Sequence, residues 1–183
     1  FRQKIEISLT DDINDIYFKC HLALSQMFTK FLKNTKNINF TKYKGPYKFL
    51  PKMTPAEGFV DWTRSKIDVY NFIRSKTFPY RSAFTYLNKK LLEIKSVQLI
   101  NTNFYHKYRC GEIVLILNDK RLLVSVKKGF LTIEIYEKNI TNMKEGQILK
   151  SVNFRKQMKT IIDRHYKTNP KQKLNNMIMR LTK

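Results

Sequence analysis

Ile5, Ile7 and Leu9 alternate with Lys4, Glu6 and Ser8, the period-two pattern of a half-buried strand. Thr10-Asp11-Asp12 then offers a capping side chain and two carboxylates at the start of a helix. Ile13, Ile16, Tyr17, Cys20, Leu24, Met27, Phe28, Phe31 and Leu32 follow at three-and-four spacing, which predicts a helix of about five turns with one continuous apolar face. A stripe that long needs a sheet to cover it, and one short strand is not enough. The strand and helix therefore read as the end of a larger unit whose sheet lies upstream. From Asn34 to Pro51 the text turns polar and irregular around Gly45-Pro46, and predicts a linker.

Helical spacing gives way to strand spacing across Lys52-Met53-Thr54-Pro55-Ala56-Glu57-Gly58-Phe59-Val60-Asp61-Trp62, which holds the single tryptophan. A short helix carrying Ile67, Tyr70 and Ile73, capped by Thr63 or Ser65, should end at Pro79, because the residue before a proline avoids helical geometry. Beyond it strands dominate. Ala83–Leu87 and Leu91–Lys95 flank a turn at Asn88-Lys89-Lys90; Glu112–Leu117 and Arg121–Val126 flank Asn118-Asp119-Lys120; Phe130–Tyr136 follows Lys127-Lys128-Gly129. Five short strands with tight turns predict a small closed or nearly closed barrel of the OB type, within an α+β chain. A last helix carries Phe154, Met158, Ile161, Ile162 and His165 on one side. The basic tail after Pro170 is too short to be stable alone and is expected to dock or stay mobile.

Charge changes this picture more than composition does. Among 183 residues, 36 Lys and Arg stand against 14 Asp and Glu, a net charge of +22. Such an excess favours a polyanion, with nucleic acid ahead of an anionic membrane surface. No apolar run approaches the roughly 20 residues that cross a bilayer. Catalytic signals are sparse. Cys20 and Cys110 have no metal or redox spacing, His21, His106 and His165 form no triad or ligand pattern, and the five glycines make no phosphate loop. Asp11, Asp12 and Asp61 read as helix-capping carboxylates, Asp61 for the helix that follows it. Binding is better supported. Arg74, Lys76 and Arg81, Lys89 and Lys90, Lys107 and Arg109, and Lys127 and Lys128 flank the predicted turns, while Arg155, Lys156 and Lys159 line the last helix. Tyr80, Tyr86, Phe104, Tyr105 and Tyr108 are interleaved with them, so phosphates could be neutralised while bases stack.

These residues carry a family resemblance. Lys52, Thr54, Glu57 and Val60-Asp61-Trp62, then Ile73-Arg74 and Pro79-Tyr80-Arg81, resemble the domain junction of methionyl-tRNA formyltransferases and related formyltransferases, with the second proline of their Pro-aromatic-Pro turn replaced by Arg81. Ala83-Phe84-Thr85-Tyr86 and Gly111-Glu112-Ile113 resemble later strands, and Lys127-Lys128-Gly129 stands where relatives commonly have Gly-Asp-Gly. Ile5-Glu6-Ile7 and Asp11–Tyr17 are similar to the end of the family's catalytic domain. The resemblance implies that residues 1–33 end a Rossmann-like catalytic domain, 34–51 link, 52–150 form an OB-like RNA-binding domain and 151–183 a basic helical tail.

It also implies formyl transfer from 10-formyltetrahydrofolate by an Asn-His-Asp set. That set and that cofactor would belong to an upstream half, so no position here inherits a catalytic role. The expected partner is RNA, either tRNA or ribosomal RNA, in bacterial cytoplasm or the mitochondrial matrix. Alternatives are a repurposed RNA-binding component of a mitochondrial ribosome, with ribosomal proteins as further partners, and a piece of a nucleotide-sugar formyltransferase.

Overall fold

A computed structural model describes residues 2–35, 42, 49–101, 107–118, 120–136 and 143–182. Gly45-Pro46, Phe104, Tyr105, His106, Asp119 and most of the expected linker lie outside the described residues. The chain divides into two compact units, Phe1–Tyr47 and Lys48–Lys183.

In the first unit, helix α1 spans Ile13–Lys33. Asp12 caps it, accepting from the backbone of Asn14 and Asp15, while the Asp15 side chain returns to the Asp12 amide. Asp11 is not part of that cap. It accepts from the backbone and hydroxyl of Ser8 and from the Lys19 ammonium at 2.5 Å, and these contacts, Lys19 first, hold its carboxyl down at about 2. The expected strand at Ile5–Leu9 is not formed: residues 2–8 carry no strand pairing. Alternation marks a strand only where a partner supplies the other half of the ladder, and no other strand lies in this unit's described residues. Ala23 is the one buried residue on α1, and Phe18, Leu24 and Phe28 stand about 60% exposed.

In the second unit, five strands form one antiparallel sheet: β1 Ala83–Leu87, β2 Lys90–Leu99, β3 Ile113–Ile116, β4 Arg121–Val126 and β5 Gly129–Ile135, in the spatial order β1-β2-β5-β4-β3. Asn88 and Lys89 turn β1 into β2 with both φ angles positive, at 49° and 69°, the two-residue hairpin geometry that matches strand twist. β2 runs four residues past the predicted Lys95, because a bulge between Ile94 and Ser96 lets Val97–Leu99 continue along β5. The two free edges are joined by irregular chain. Ile113 donates to the Gln147 carbonyl and Leu149 to that of Gly111, while Lys150 donates to the Tyr86 carbonyl on β1. Residues 147–150 thus close the barrel where no sixth strand was predicted.

Alternation fills the interior. Leu92, Ile94, Leu122, Val124, Leu131, Ile133 and Ile135 are buried from three neighbouring strands and meet Val60, Trp62 and Leu149. Full burial of each such aliphatic side chain contributes about 1.5–3 kcal/mol. Helix α2, Lys66–Arg74, packs Val69, Tyr70 and Ile73 against β2 and β5, and Ser65 caps it. It ends at Arg74, well before Pro79: Ser75 caps it and the Lys76 amide tightens the last turn onto the Ile73 carbonyl, so the proline is not what terminates it. Helix α3, Phe154–Thr168, buries Met158, Ile161, Ile162 and His165 as the pattern requires. The tail docks: Phe49 and Leu174 bridge in parallel, Asn175 donates to the Phe49 carbonyl, and a short α4 follows at Asn176–Arg180.

Candidate nucleic-acid interface

The junction is a structural clasp. Trp62 is fully buried; its indole donates to Thr85 Oγ1 at 3.3 Å and its amide to Ser151 Oγ at 2.9 Å. Asp61 does not cap α2. One carboxylate oxygen accepts from the Thr63 amide, the Thr63 hydroxyl and Ser151, and the other accepts from Phe154 N at 2.9 Å, so it caps α3 more than ninety positions later. Glu57 is buried and accepts from Arg164 Nη1 at 2.7 Å and from the Thr54 amide, while Arg164 Nη2 reaches the Lys52 carbonyl. Burial opposes the Glu57 charge, but the bonds from Thr54 and Arg164 outweigh it and hold the carboxyl below its ordinary value. Ile73 is buried in the core, and the Phe78–Pro79 peptide is cis.

The predicted cations sort into four groups. Arg81, Lys89, Lys107, Lys127, Lys128, Arg155, Lys156 and Lys159 are exposed, and none forms an ion pair or side-chain hydrogen bond among the described residues. Arg74 is turned inward: its guanidinium lies 4.5 Å from the Tyr70 ring centroid and donates to Asn71. Arg109 pairs with Glu112 at 3.7 Å, and Lys90 also has internal partners. Lys76 is half-buried near the Phe72 ring, and burial lowers its affinity for a proton against the pull of Glu57. It lines a small pocket of about 370 Å³ with Thr54, Tyr80 and Arg81.

The structure also brings together residues that the sequence kept apart. Lys127, Lys128 and Arg155 share one cleft of about 800 Å³ with Arg64, Lys66 and Arg180. Ser65 bridges to Lys127 in parallel, which sets the start of α2 against the β4–β5 turn. Arg64, Lys66 and Arg180 were not singled out from sequence; Arg64 and Lys66 flank the Ser65 cap of α2 and Arg180 ends α4, and only the fold brings these two places together. Of the aromatics, Tyr86 is edge-on to Phe59 and Phe84 in a half-buried cluster, and Tyr108 packs edge-on against Phe130. Tyr80 is about half exposed beside Arg81. No group of three or more His, Cys, Asp or Glu side chains capable of holding a metal occurs among the described residues, and no helix among them is long and apolar enough to cross a membrane.

A five-stranded antiparallel barrel clasped to a C-terminal helix, with exposed cations around its turns, defines a small α+β domain with a basic surface. The family described as formyl transferase, C-terminal domain, matches residues 52–153, more than half of the chain, and the chain belongs to that family. The methionyl-tRNA formyltransferase of Mycoplasma capricolum is 25% identical over 138 residues, covering 73% of this chain and 43% of that protein. That of Fusobacterium nucleatum is 35% identical over 74 residues, 40% of this chain and 23% of the other. The bifunctional polymyxin resistance protein ArnA of Wigglesworthia glossinidia is 33% identical over 147 residues, 75% of this chain and 21% of its own. A variant of HypX from Aquifex aeolicus superposes with a TM-score of 0.49 at 15% identity, over 92% of this chain and 27% of that one. The chain thus spans less than half the length of these relatives.

Proposed function

We propose that this chain is the RNA-binding end of a methionyl-tRNA formyltransferase, with tRNA as its ligand. The observation that carries the reading is the set of exposed cations on the β4–β5 turn and α3, namely Lys127, Lys128, Arg155, Lys156 and Lys159, that have no carboxylate partner among the described residues. In a chain of net charge +22 they are left free to neutralise phosphates. Formyl transfer, with 10-formyltetrahydrofolate as donor, would then belong to residues outside this stretch, and the part played here is to hold and orient the substrate.

Titrating fluorescent tRNA into the protein at several KCl concentrations tests this. The expected result is saturable binding that weakens with salt, with a log–log slope of roughly 0.7–0.9 per phosphate contact. It should also favour tRNA over an unstructured RNA of equal length. Equal affinity for the two RNAs would reduce the reading to non-specific charge attraction, and no binding at low salt would refute it.

A further inference from the structure

We infer that the cleft between the start of α2, the β4–β5 turn and the C-terminal helices is where the RNA phosphodiester backbone is gripped. On this view the segment after residue 153 forms half of the grip. The inference rests on the RNA-binding reading above and names the place where it happens.

Six cations line the cleft against two carboxylates, Asp61 and Asp68. Both carboxylates are already engaged. Asp61 holds Thr63, Ser151 and the Phe154 amide; Asp68 accepts from the Ser65 hydroxyl and pairs with Arg64 at 3.2 Å. Lys66 is also committed, its ammonium donating to the Ile100 carbonyl at 3.0 Å. The capping side chains hold the third amide of each helix, Ser65 accepting from Asp68 N and Asn153 from Lys156 N, and Asp61 takes the first amide of α3 at Phe154. The side-chain charge left for a ligand is that of Lys127, Lys128, Arg155 and Arg180, all exposed and unpaired among the described residues. A cleft of about 800 Å³ exceeds what one phosphate needs, and cations contributed by the β4–β5 turn and by both C-terminal helices suit a chain of phosphates.

Two of the four lie beyond the family match at 52–153, and both are fixed in place. Arg155 sits in the first turn of α3, which Asp61 caps. Arg180 ends α4, which follows the docked Leu174 and the Asn175 bond to Phe49. The extension is therefore a second wall of the site.

Backbone geometry supplies a matched pair of variants for the test. Lys128 and Lys89 both occupy turn positions with positive φ, at 61° and 69°, both are exposed, and only Lys128 is in the cleft. Replacing either by glycine removes one charge and relieves the same backbone strain. The full chain would be titrated with tRNA as Lys128→Gly, Lys89→Gly and Arg155→Gln/Arg180→Gln, with Trp62 fluorescence reporting that each is folded. The expected result is a loss of roughly tenfold for the arginine pair, with the salt slope falling by roughly 1.4–1.8, a smaller loss for Lys128→Gly, and affinity within about twofold for Lys89→Gly.

Equal losses for Lys128→Gly and Lys89→Gly, or an unchanged arginine variant, would overturn the cleft and leave RNA binding intact. Failure of the wild-type chain to bind would overturn both. Inorganic phosphate is the second arm: if it displaces tRNA from wild type better than chloride at equal ionic strength, and not from the arginine variant, the cleft recognises free phosphate and the phosphodiester assignment fails.

Discussion

Asp61→Asn should destabilise the second unit by about 2–3 kcal/mol. The carboxylate accepts from Thr63 N at 3.0 Å, Thr63 Oγ1 at 2.6 Å, Ser151 Oγ at 3.1 Å and Phe154 N at 2.9 Å, and it is 9% exposed. An amide of the same shape has one oxygen. If that oxygen stays with Thr63 and Ser151, the NH2 group faces the Phe154 N–H, so a charge-assisted bond is lost and two donors confront each other in a dry site. Flipping the amide restores the Phe154 bond and forfeits the other side. One lost bond to a charged group, worth about 1.5–3 kcal/mol, sets the scale. Urea unfolding followed by the fluorescence of Trp62, the only tryptophan and fully buried beside the substitution, measures the loss. Asp68→Asn is the comparison: its pair with Arg64 is partly exposed and should contribute less than about 1 kcal/mol. A change for Asp61→Asn no larger than that for Asp68→Asn would mean that the clasp contributes nothing to stability.

Gly111→Ala should cost about 3 kcal/mol or more, since φ is +84° and a Cβ there would sit 2.8 Å from the Leu149 carbonyl and 3.2 Å from the Trp62 ring. Gly146→Ala shares the φ, at +83°, with nothing within 4 Å, so its cost of about 1–2 kcal/mol isolates the backbone contribution; equal melting shifts would deny the clash at Trp62. Arg164→Ala should cost about 1–3 kcal/mol by leaving Glu57 with one partner fewer in a buried site. The Glu57 carboxyl is depressed in the fold, so its contribution is complete above the ordinary value of 4.5 and is lost as pH falls through the folded value. Wild type should therefore lose more stability than Arg164→Ala on acidification, and parallel pH curves would refute the pairing. Lys128→Gly should leave stability unchanged or raise it by up to about 1 kcal/mol in thermal melts, whatever it does to RNA affinity.

Strands and helices with a strict period were legible because each period reflects a face that the second unit buries. Leu122, Val124, Leu131, Ile133 and Ile135 point inward as their spacing requires. Ile5–Leu9 has the same spacing and forms no strand with the described residues, since periodicity records which side would be buried and not whether a partner strand is present. Residues 147–150 were missed for the opposite reason: they bond to both sheet edges by backbone groups that carry no sequence signature. The cations at the turns were legible as exposed charge. Their separation into free, stacked and half-buried sets was not, because Tyr70 turns Arg74 inward and the burial of Lys76 depends on contacts between elements.

The same distinction explains why the stretch from Lys52 to Trp62 reads as a boundary in sequence and behaves as a receptor in the fold. Arg164 holds Glu57 and the Lys52 carbonyl, Asp61 holds the Phe154 amide, and Val152 donates to the Val60 carbonyl. Three separate contacts along one stretch leave α3 little freedom to rotate or slide. Arg155, Lys156 and Lys159 therefore project from a helix whose orientation is set by the barrel, and binding RNA need not cost the entropy of ordering them as a tail would. Loosening the clasp without touching a cation should then weaken RNA binding along with stability. Asp61→Asn at a temperature where it remains folded separates the two: a normal affinity there would show that α3 orders itself on the ligand and that the clasp serves stability alone.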